Sequence, residues 1–229
     1  MAGSDQVPAV RQRASTRERL IDAAVRLCGE RGIEATSLRA LTEAAGSNIA
    51  AVNYHFGSKE GLLRAVIDQT MRAVNEERRV RLEQLEAAPQ PPSVAALVRA
   101  FVEPGVGLAE THGSRGPDVA RFIGRVMGEP NARVREIFAQ QVEPVEGRYL
   151  TALRHALPEL DERGVQFAYA GMVGLLGVYQ SGTFATLGWA PETDDGTPAS
   201  ASGAADHERL VAFITAGILA PLPAKATDG

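Results

Sequence analysis

The chain has 229 residues, a formal net charge of −4 and one cysteine, Cys28. That length buries a sizeable core in one large domain or a small one plus a larger one. A lone cysteine excludes an internal disulfide, and the acidic balance argues against a protein that coats nucleic acid along its whole surface. Residues 1–57 nevertheless carry seven Arg against six Asp and Glu, a local +1 that leaves −5 for the rest. No run of about 18 apolar residues is present, so no membrane span is expected. The first fifteen residues hold Arg11 and Arg13 but no apolar core of a leader, which predicts no secretory signal and a cytoplasmic location.

In chain order, residues 1–14 read as a disordered arm. Ser15-Thr16-Arg17-Glu18 has capping-box spacing, and Leu20, Ile21, Ala24, Leu27 and Cys28 follow at helical period. This predicts a helix over 16–31 that Gly32 ends, with Cys28 as core packing. Thr36-Ser37 opens a short helix through Leu38, Leu41, Ala44 and Ala45, and Gly46 stops it. Ser47-Asn48 opens another from Ile49 to Phe56. After Gly57, Ser58 caps a long helix from Lys59 toward Glu86, with Leu62, Leu63, Val66, Ile67, Thr70, Val74 and Val80 in period.

Pro89, Pro91 and Pro92 mark a loop, and Ser93 caps a helix that Pro104-Gly105 is expected to kink or break. Gly113 to Pro117 reads as a turn. Val119 to Met127 form an amphipathic helix, 131–156 a longer one perturbed at Pro144, and 161–188 the most apolar one. Residues 190–204 read as a flexible loop, and a last helix spans about 205–219. No alternating strand pattern of useful length appears, so the fold class is all-α.

Residues 37–56 have helix-turn-helix spacing, in which the second helix presents its first residues to the DNA major groove. The run Gly32-Ile33-Glu34-Ala35-Thr36-Ser37-Leu38-Arg39-Ala40-Leu41, then Ala44-Ala45-Gly46, then Asn53-Tyr54-His55-Phe56-Gly57-Ser58-Lys59-Glu60-Gly61-Leu62-Leu63, resembles the TetR family of bacterial transcription regulators. Two positions depart from the family pattern. Ser47 stands where an apolar residue is frequent, and Asn53 where Tyr is frequent. The resemblance implies a three-helix DNA-binding domain over 15–60 and a larger helical domain over 61–229 that senses a ligand and dimerises through a four-helix bundle. It implies a regulator, in the first instance a repressor released by a small apolar effector. The partners are then a near-palindromic double-stranded operator and a second copy of the chain, with no cofactor. A helical dimer of this fold that binds DNA or a protein without induction is the alternative.

The candidate DNA contacts are Thr36, Ser37, Arg39, Asn48, Ile49, Ala50, Ala51, Asn53, Tyr54, His55 and Lys59. Arg39 can bridge guanine O6 and N7, and the Asn53 amide can pair with adenine or reach phosphate. Ile49, Ala50 and Ala51 suit thymine methyls, with inward packing of Ile49 or Ala50 as the other reading. Asn48 either caps its helix or reaches phosphate. Tyr54 and His55 resemble the family's phosphate-contacting pair, and Lys59 can pair with phosphate at the start of its helix. Thr36 and Ser37 offer hydroxyls and helix N-terminal amides. Phe56 reads as core. In the larger domain, Phe101, Phe122, Met127, Phe138, Tyr149, Tyr169, Met172 and Tyr179 either line an effector pocket or simply fill the core. Helices 161–188 and 205–219 either form the dimer seam or pack only within one chain. No metal-ligand cluster, phosphate loop or nucleophile motif is present, so an enzyme is not expected.

Overall fold

The computed structural model describes residues 14–181 and 204–220 and contains only helices among them. They are α1 (Thr16–Arg31), α2 (Leu38–Ala44), α3 (Ile49–Phe56), α4 (Lys59–Glu86), α5 (Val94–Val106), α6 (Leu108–Thr111), a 3-10 turn at Gly113–Arg115, α7 (Gly116–Met127), α8 (Ala132–Ala156), α9 (Glu162–Gln180) and α10 (Ala204–Leu219). The expected arm, the loop at 190–204 and the stretch 182–188 of the apolar helix lie wholly or almost wholly outside the described residues.

Local chemistry sets most of these boundaries. The Ser15 hydroxyl accepts from the Glu18 amide while the Glu18 carboxylate accepts from the Ser15 amide at 2.7 Å, a complete capping box. Ser37, Asn48, Ser58, Ser93 and Asp161 each accept a first-turn amide of the helix they precede. Each such cap stabilises its helix by about 1 kcal/mol. Gly46 (φ 56) and Gly57 (φ 76) take left-handed conformations at the two turns that flank α3.

Prolines behave differently from the sequence expectation. Pro104 does not break α5, which continues to Val106. So near its end the helix loses only the N–H that would reach the Ala100 carbonyl, and the neighbouring Phe101 carbonyl accepts from Arg78 Nε at 2.9 Å. Pro117 lies inside the first turn of α7 rather than in a turn before it, a place where its missing N–H has no helical partner to lose. Pro144 leaves α8 continuous. On α4 the inward stripe runs Met71, Val74, Arg78, Leu82, so Arg78 is buried and Val80 exposed, the reverse of the expected apolar series.

Two apolar cores stack along α4 and α8. The first joins α1, α2, α3 and the near half of α4 to Leu108, to Val119, Phe122, Ile123 and Val126 of α7, and to Val134, Ile137 and Val142 of α8. The second joins Leu82, α5, the far half of α8, α9 and α10. Packing does not pause at residue 60. α1 lies along α7, where a Cβ on Gly29 would stand 3.2 Å from the Phe122 amide nitrogen. Polar contacts ring this seam: Asp22 with Arg115 at 2.8 Å, Glu34 with Asn131 at 2.5 Å, and Glu60 with Arg133 at 3.2 Å.

Candidate nucleic-acid interface

α3 is clamped from behind. Val52 is fully buried, and Ala51 is half-buried against the first core. Arg19 reaches from α1 to the Ala45 carbonyl at 3.0 Å and fixes the turn between α2 and α3. At the other end a Cβ on Gly61 would meet the Phe56 carbonyl oxygen at 1.9 Å, so α4 can begin tightly under α3 only because residue 61 has no side chain.

The opposite side of α3 stands in solvent. Asn48, Ile49, Ala50, Asn53, Tyr54 and His55 are all exposed, and so are Ser37 and Arg39 of the α2 segment. Tyr54 is 86% exposed, an aromatic ring that contributes almost nothing to its own fold. Its ring meets His55 edge-on at 5.0 Å. Asn53 and Ile49, one turn apart, share this face. The Asn48 side chain accepts from the Ala51 amide at 2.9 Å, so the capping role is realised in the free chain. The Ser37 hydroxyl likewise accepts from the Ala40 amide.

Two expectations are corrected by burial, those for Thr36 and Ala51. Thr36 is wholly buried, and its hydroxyl donates to the Gly32 carbonyl at 2.7 Å, so it positions the turn and cannot offer that hydroxyl outward. Ala51 turns toward the core rather than outward. Lys59 is half-buried, and its ammonium donates to the Ile33 carbonyl at 2.9 Å, which ties the start of α4 to the α1–α2 turn. Phe56, expected in the core, is half-buried with the Arg17 guanidinium 5.5 Å over its ring. Arg17 and Arg64 border one shallow cleft with His55 and were missed in the sequence reading. Their proximity depends on α1 and α4 crossing α3, and no local motif records that.

A second exposed face lies on α9 and α10. Phe167 and Phe213 are 71% and 68% exposed, with Leu175, Val178 and Leu219 also open to solvent. An apolar groove between the two helices is lined by Leu160, Phe167, Gly171, Leu175, Phe213 and Gly217 among others.

The eight expected pocket residues do not come together. Phe122, Met127 and Phe138 pack in the first core, whereas Phe101, Tyr149, Tyr169, Met172 and Tyr179 pack in the second. Within the second, Phe101 meets Tyr149 and Tyr169 edge-on at 5.1 and 5.5 Å. Arg78, absent from the sequence reading, stands over the Phe101 ring at 3.7 Å. Its spacing of four from both Val74 and Leu82 is the signal that could have found it.

Residues 20–66 match the family profile described as bacterial regulatory proteins, tetR family, and residues 99–217 match the one described as tetracyclin repressor-like, C-terminal domain. The HTH-type transcriptional dual regulator CecR of Shigella flexneri is 32% identical over 142 residues, 60% of this chain and 62% of that relative. The match thus spans under two thirds of its length. The HTH-type transcriptional regulator BetI of Rhizobium meliloti is 26% identical over 76% of this chain and 82% of the relative. Among solved structures, the regulator FadR of Bacillus subtilis in complex with stearoyl-CoA superposes with a TM-score of 0.55 at 18% identity, covering 87% of this chain and 97% of that one. Among the described residues no helix is long and apolar enough to cross a membrane.

Proposed function

The chain belongs to the TetR family of bacterial regulatory proteins, and from that premise we propose that it is a homodimeric transcription regulator, a repressor that a small-molecule effector releases from its operator. On this reading residues 15–60 are the DNA reader and 61–229 the sensing and dimerising part, working in the cytoplasm. The observation that carries it is α3: braced by Val52, it leaves Asn48, Ile49, Ala50, Asn53, Tyr54 and His55 in solvent on one short helix.

Each exposed group has matching chemistry on a duplex. Tyr54 O–H and the His55 ring donate to phosphate oxygens, and the Arg17 and Arg64 guanidiniums add positive charge beside them. Arg39 can donate two parallel bonds to guanine, Asn53 can pair with adenine, and Ile49 and Ala50 can meet thymine methyls. Two such heads related by a two-fold axis read half-sites about 34 Å apart, which makes the operator near-palindromic. The exposed apolar groove of α9 and α10 supplies the matching self-complementary seam.

Release by an effector needs the reader to follow the larger core. Two connections serve this. α4 runs continuously from beneath α3 into the second core, and α1 lies against α7, with Asp22–Arg115 beside that contact and Glu34–Asn131 and Glu60–Arg133 tying the reader to the start of α8. A shift of α7 therefore moves α1, and with it the turn that Arg19 holds. An effector acts only through its different affinity for the two arrangements, with a coupling of about 1–3 kcal/mol in typical cases. The alternative, a dimer of the same fold without induction, gains support from the division of the expected pocket residues between two packed cores.

The test is fluorescence anisotropy of the intact protein on genomic duplex fragments over a salt series. Nanomolar binding to a subset of fragments, weakening steeply with salt, is the expected result. No duplex binding at low salt would end the regulator reading. Effectors are then titrated with and without operator, and equal affinity in both conditions leaves the uninduced dimer.

A further inference from the structure

The two apolar cores are separated by a polar layer. On α4 the apolar residues of the first core end at Val74, and those of the second begin at Leu82. On α8 the first core ends at Val142 and the second resumes at Val145. Between α5 and α6 the change falls on Gly107, with Val106 in one core and Leu108 in the other. Hydrogen bonds fill the level between them. Asn75 donates to the Gln141 carbonyl at 3.4 Å, and the Tyr149 hydroxyl to the Arg78 carbonyl at 3.0 Å. Arg78 Nε donates to the Phe101 carbonyl at 2.9 Å, and Glu146, itself hydrogen-bonded to Tyr169, faces the guanidinium. Gln180 donates to the Gly105 carbonyl at 2.7 Å.

This level is also where the chain yields most easily. Pro144 stands at the middle of α8 and leaves the Gln140 carbonyl without its helical N–H. A bend in a long helix concentrates where its hydrogen-bond ladder is interrupted. The Asn75 Oδ1 is buried with no hydrogen-bond partner. The cores on either side interlock and resist deformation. The two halves touch again where α7 crosses α9, and there the contact is smooth. A Cβ on Gly124 would stand 2.7 Å from the Ser181 Cα, and one on Gly177 would stand 3.1 Å from the Met127 Sδ. A bare glycine faces its neighbour at both points, so the crossing can slide.

We infer that each chain works as two rigid bodies hinged at this layer, and that the body carrying the reader comprises residues 15–74 and 108–142 rather than the reader alone. The second body holds α5, the far halves of α4 and α8, α9 and α10. The first core is continuous from Leu20 and Val52 through Val66 to Phe122 and Ile137, so one apolar interior joins α1–α3 to α7 and the start of α8. Asp22–Arg115, Glu34–Asn131 and Glu60–Arg133 tie the same pieces at the surface. α7 therefore moves with the reader and slides on α9.

The exposed apolar groove of α9 and α10 lies wholly on the second body. In a dimer formed there, second body meets second body, and the hinge sets how far apart the two readers stand. The start of α4 lies about 24 Å from Asn75 at about 1.5 Å per residue. A turn of about 10° at the layer then moves α3 by about 4 Å, more than the rise of a base pair. The use of this motion rests on the ligand-released reading above, whereas the division itself is a property of the free chain.

Double electron–electron resonance on the intact protein without DNA tests the division. Nitroxide pairs are placed at Glu43→Cys with Glu159→Cys, across the layer, and at Glu43→Cys with Glu136→Cys, within the first body, all three positions being exposed. The background is Cys28→Ser, and excess unlabelled chain keeps one labelled subunit per dimer. A narrow Glu43–Glu136 distribution is expected, with the Glu43–Glu159 distribution roughly twofold wider. Pro144→Ala, which restores the Gln140 hydrogen bond, should narrow the wider one. Should the Cys28→Ser chain fold poorly, hydrogen exchange of the native chain decides. Protection of α1, α3, α7 and residues 132–142 should fall together in rising urea, apart from α5, α9 and α10. Two equally broad pairs, or a reader that loses protection ahead of α7, put the hinge near residue 60 and overturn the inference. Two equally narrow pairs, a Pro144→Ala chain as broad as the native one, or a single unit of exchange overturn it as well. A chain that passes this test yet binds no duplex loses the regulator reading and keeps the two bodies.

Discussion

The two exposed faces of this molecule differ in kind. The α3 face mixes an arginine, two asparagines, a phenol, an imidazole and small apolar groups, each backed by a rigid turn. The α9–α10 face shows Phe167, Leu175, Val178, Phe213 and Leu219 with almost no polar group between them. The first suits a hydrated, charged polymer, where donors and acceptors find new partners. The second suits an apolar surface like itself, because contact removes it from water at about 25 cal/mol per Å². One chain thus carries one face suited to polar recognition and one suited to self-association, and damage to either should be separable.

The sharpest separation should come from Gly61→Ala. The new methyl would overlap the Phe56 carbonyl, so the α3–α4 turn must open. A loss of about 3 kcal/mol or more in urea-monitored stability is expected, with the reader affected first. Native stability with native duplex affinity would show that the turn adapts freely. Leu175→Glu should come next. Leu175 is open in a single chain but sits in the apolar groove, so its charge would be unpaired only in a dimer. A shift to monomer in sedimentation velocity at micromolar concentration is expected, with helicity retained. A wild-type chain that is itself monomeric would break the comparison outright.

Smaller changes probe the polar face alone. Arg39→Ala and Asn53→Ala should each cost about 1–3 kcal/mol at particular operator positions, read by binding-site selection. Unaltered base preference in both would move readout elsewhere. Lys59→Ala should reduce the salt slope by less than 1, because its ammonium already serves the Ile33 carbonyl, and should also lower thermal stability. A full unit of slope would mean the ammonium swings to phosphate on binding.

The smallest expected effect is a pH dependence to which exposed carboxyls on α4 and α10 contribute. Hydrogen bonds from Arg148 and Arg79 hold the Glu83 carboxyl below the usual glutamate range, and one from Arg99 does the same for Glu208. Folded-state values below the unfolded ones mean that this stability is present above the ordinary glutamate pKa. It is lost as pH falls through the folded values. Both carboxyls are exposed, so the acid limb of thermal stability should be shallow and should flatten further in high salt. A steep acid limb that persists in Glu83→Gln and Glu208→Gln would locate it elsewhere.

Helix starts and ends were legible in the chain alone. A Ser, Asn or Asp cap and a left-handed glycine act within three or four residues, so Ser15, Ser37, Asn48, Ser58, Gly46 and Gly57 announce α1 to α4 without any knowledge of the rest. The ordered motif from Gly32 to Leu63 carried the family for the same reason, because its geometry is local. What only the tertiary structure decided was which way side chains face once distant helices meet. Thr36 is sealed by the Leu27 and Gly32 carbonyls, Ala51 turns to the core, and Arg78 occupies the inward stripe of α4. Pro104 is tolerated within α5 near its end, where it removes a single helical hydrogen bond. The aromatic residues expected around one pocket separate because α7 joins the reader's core while α5 and α9 form the other. Burial is set by contacts between helices far apart in sequence, and a helical period specifies a face without specifying what that face will meet.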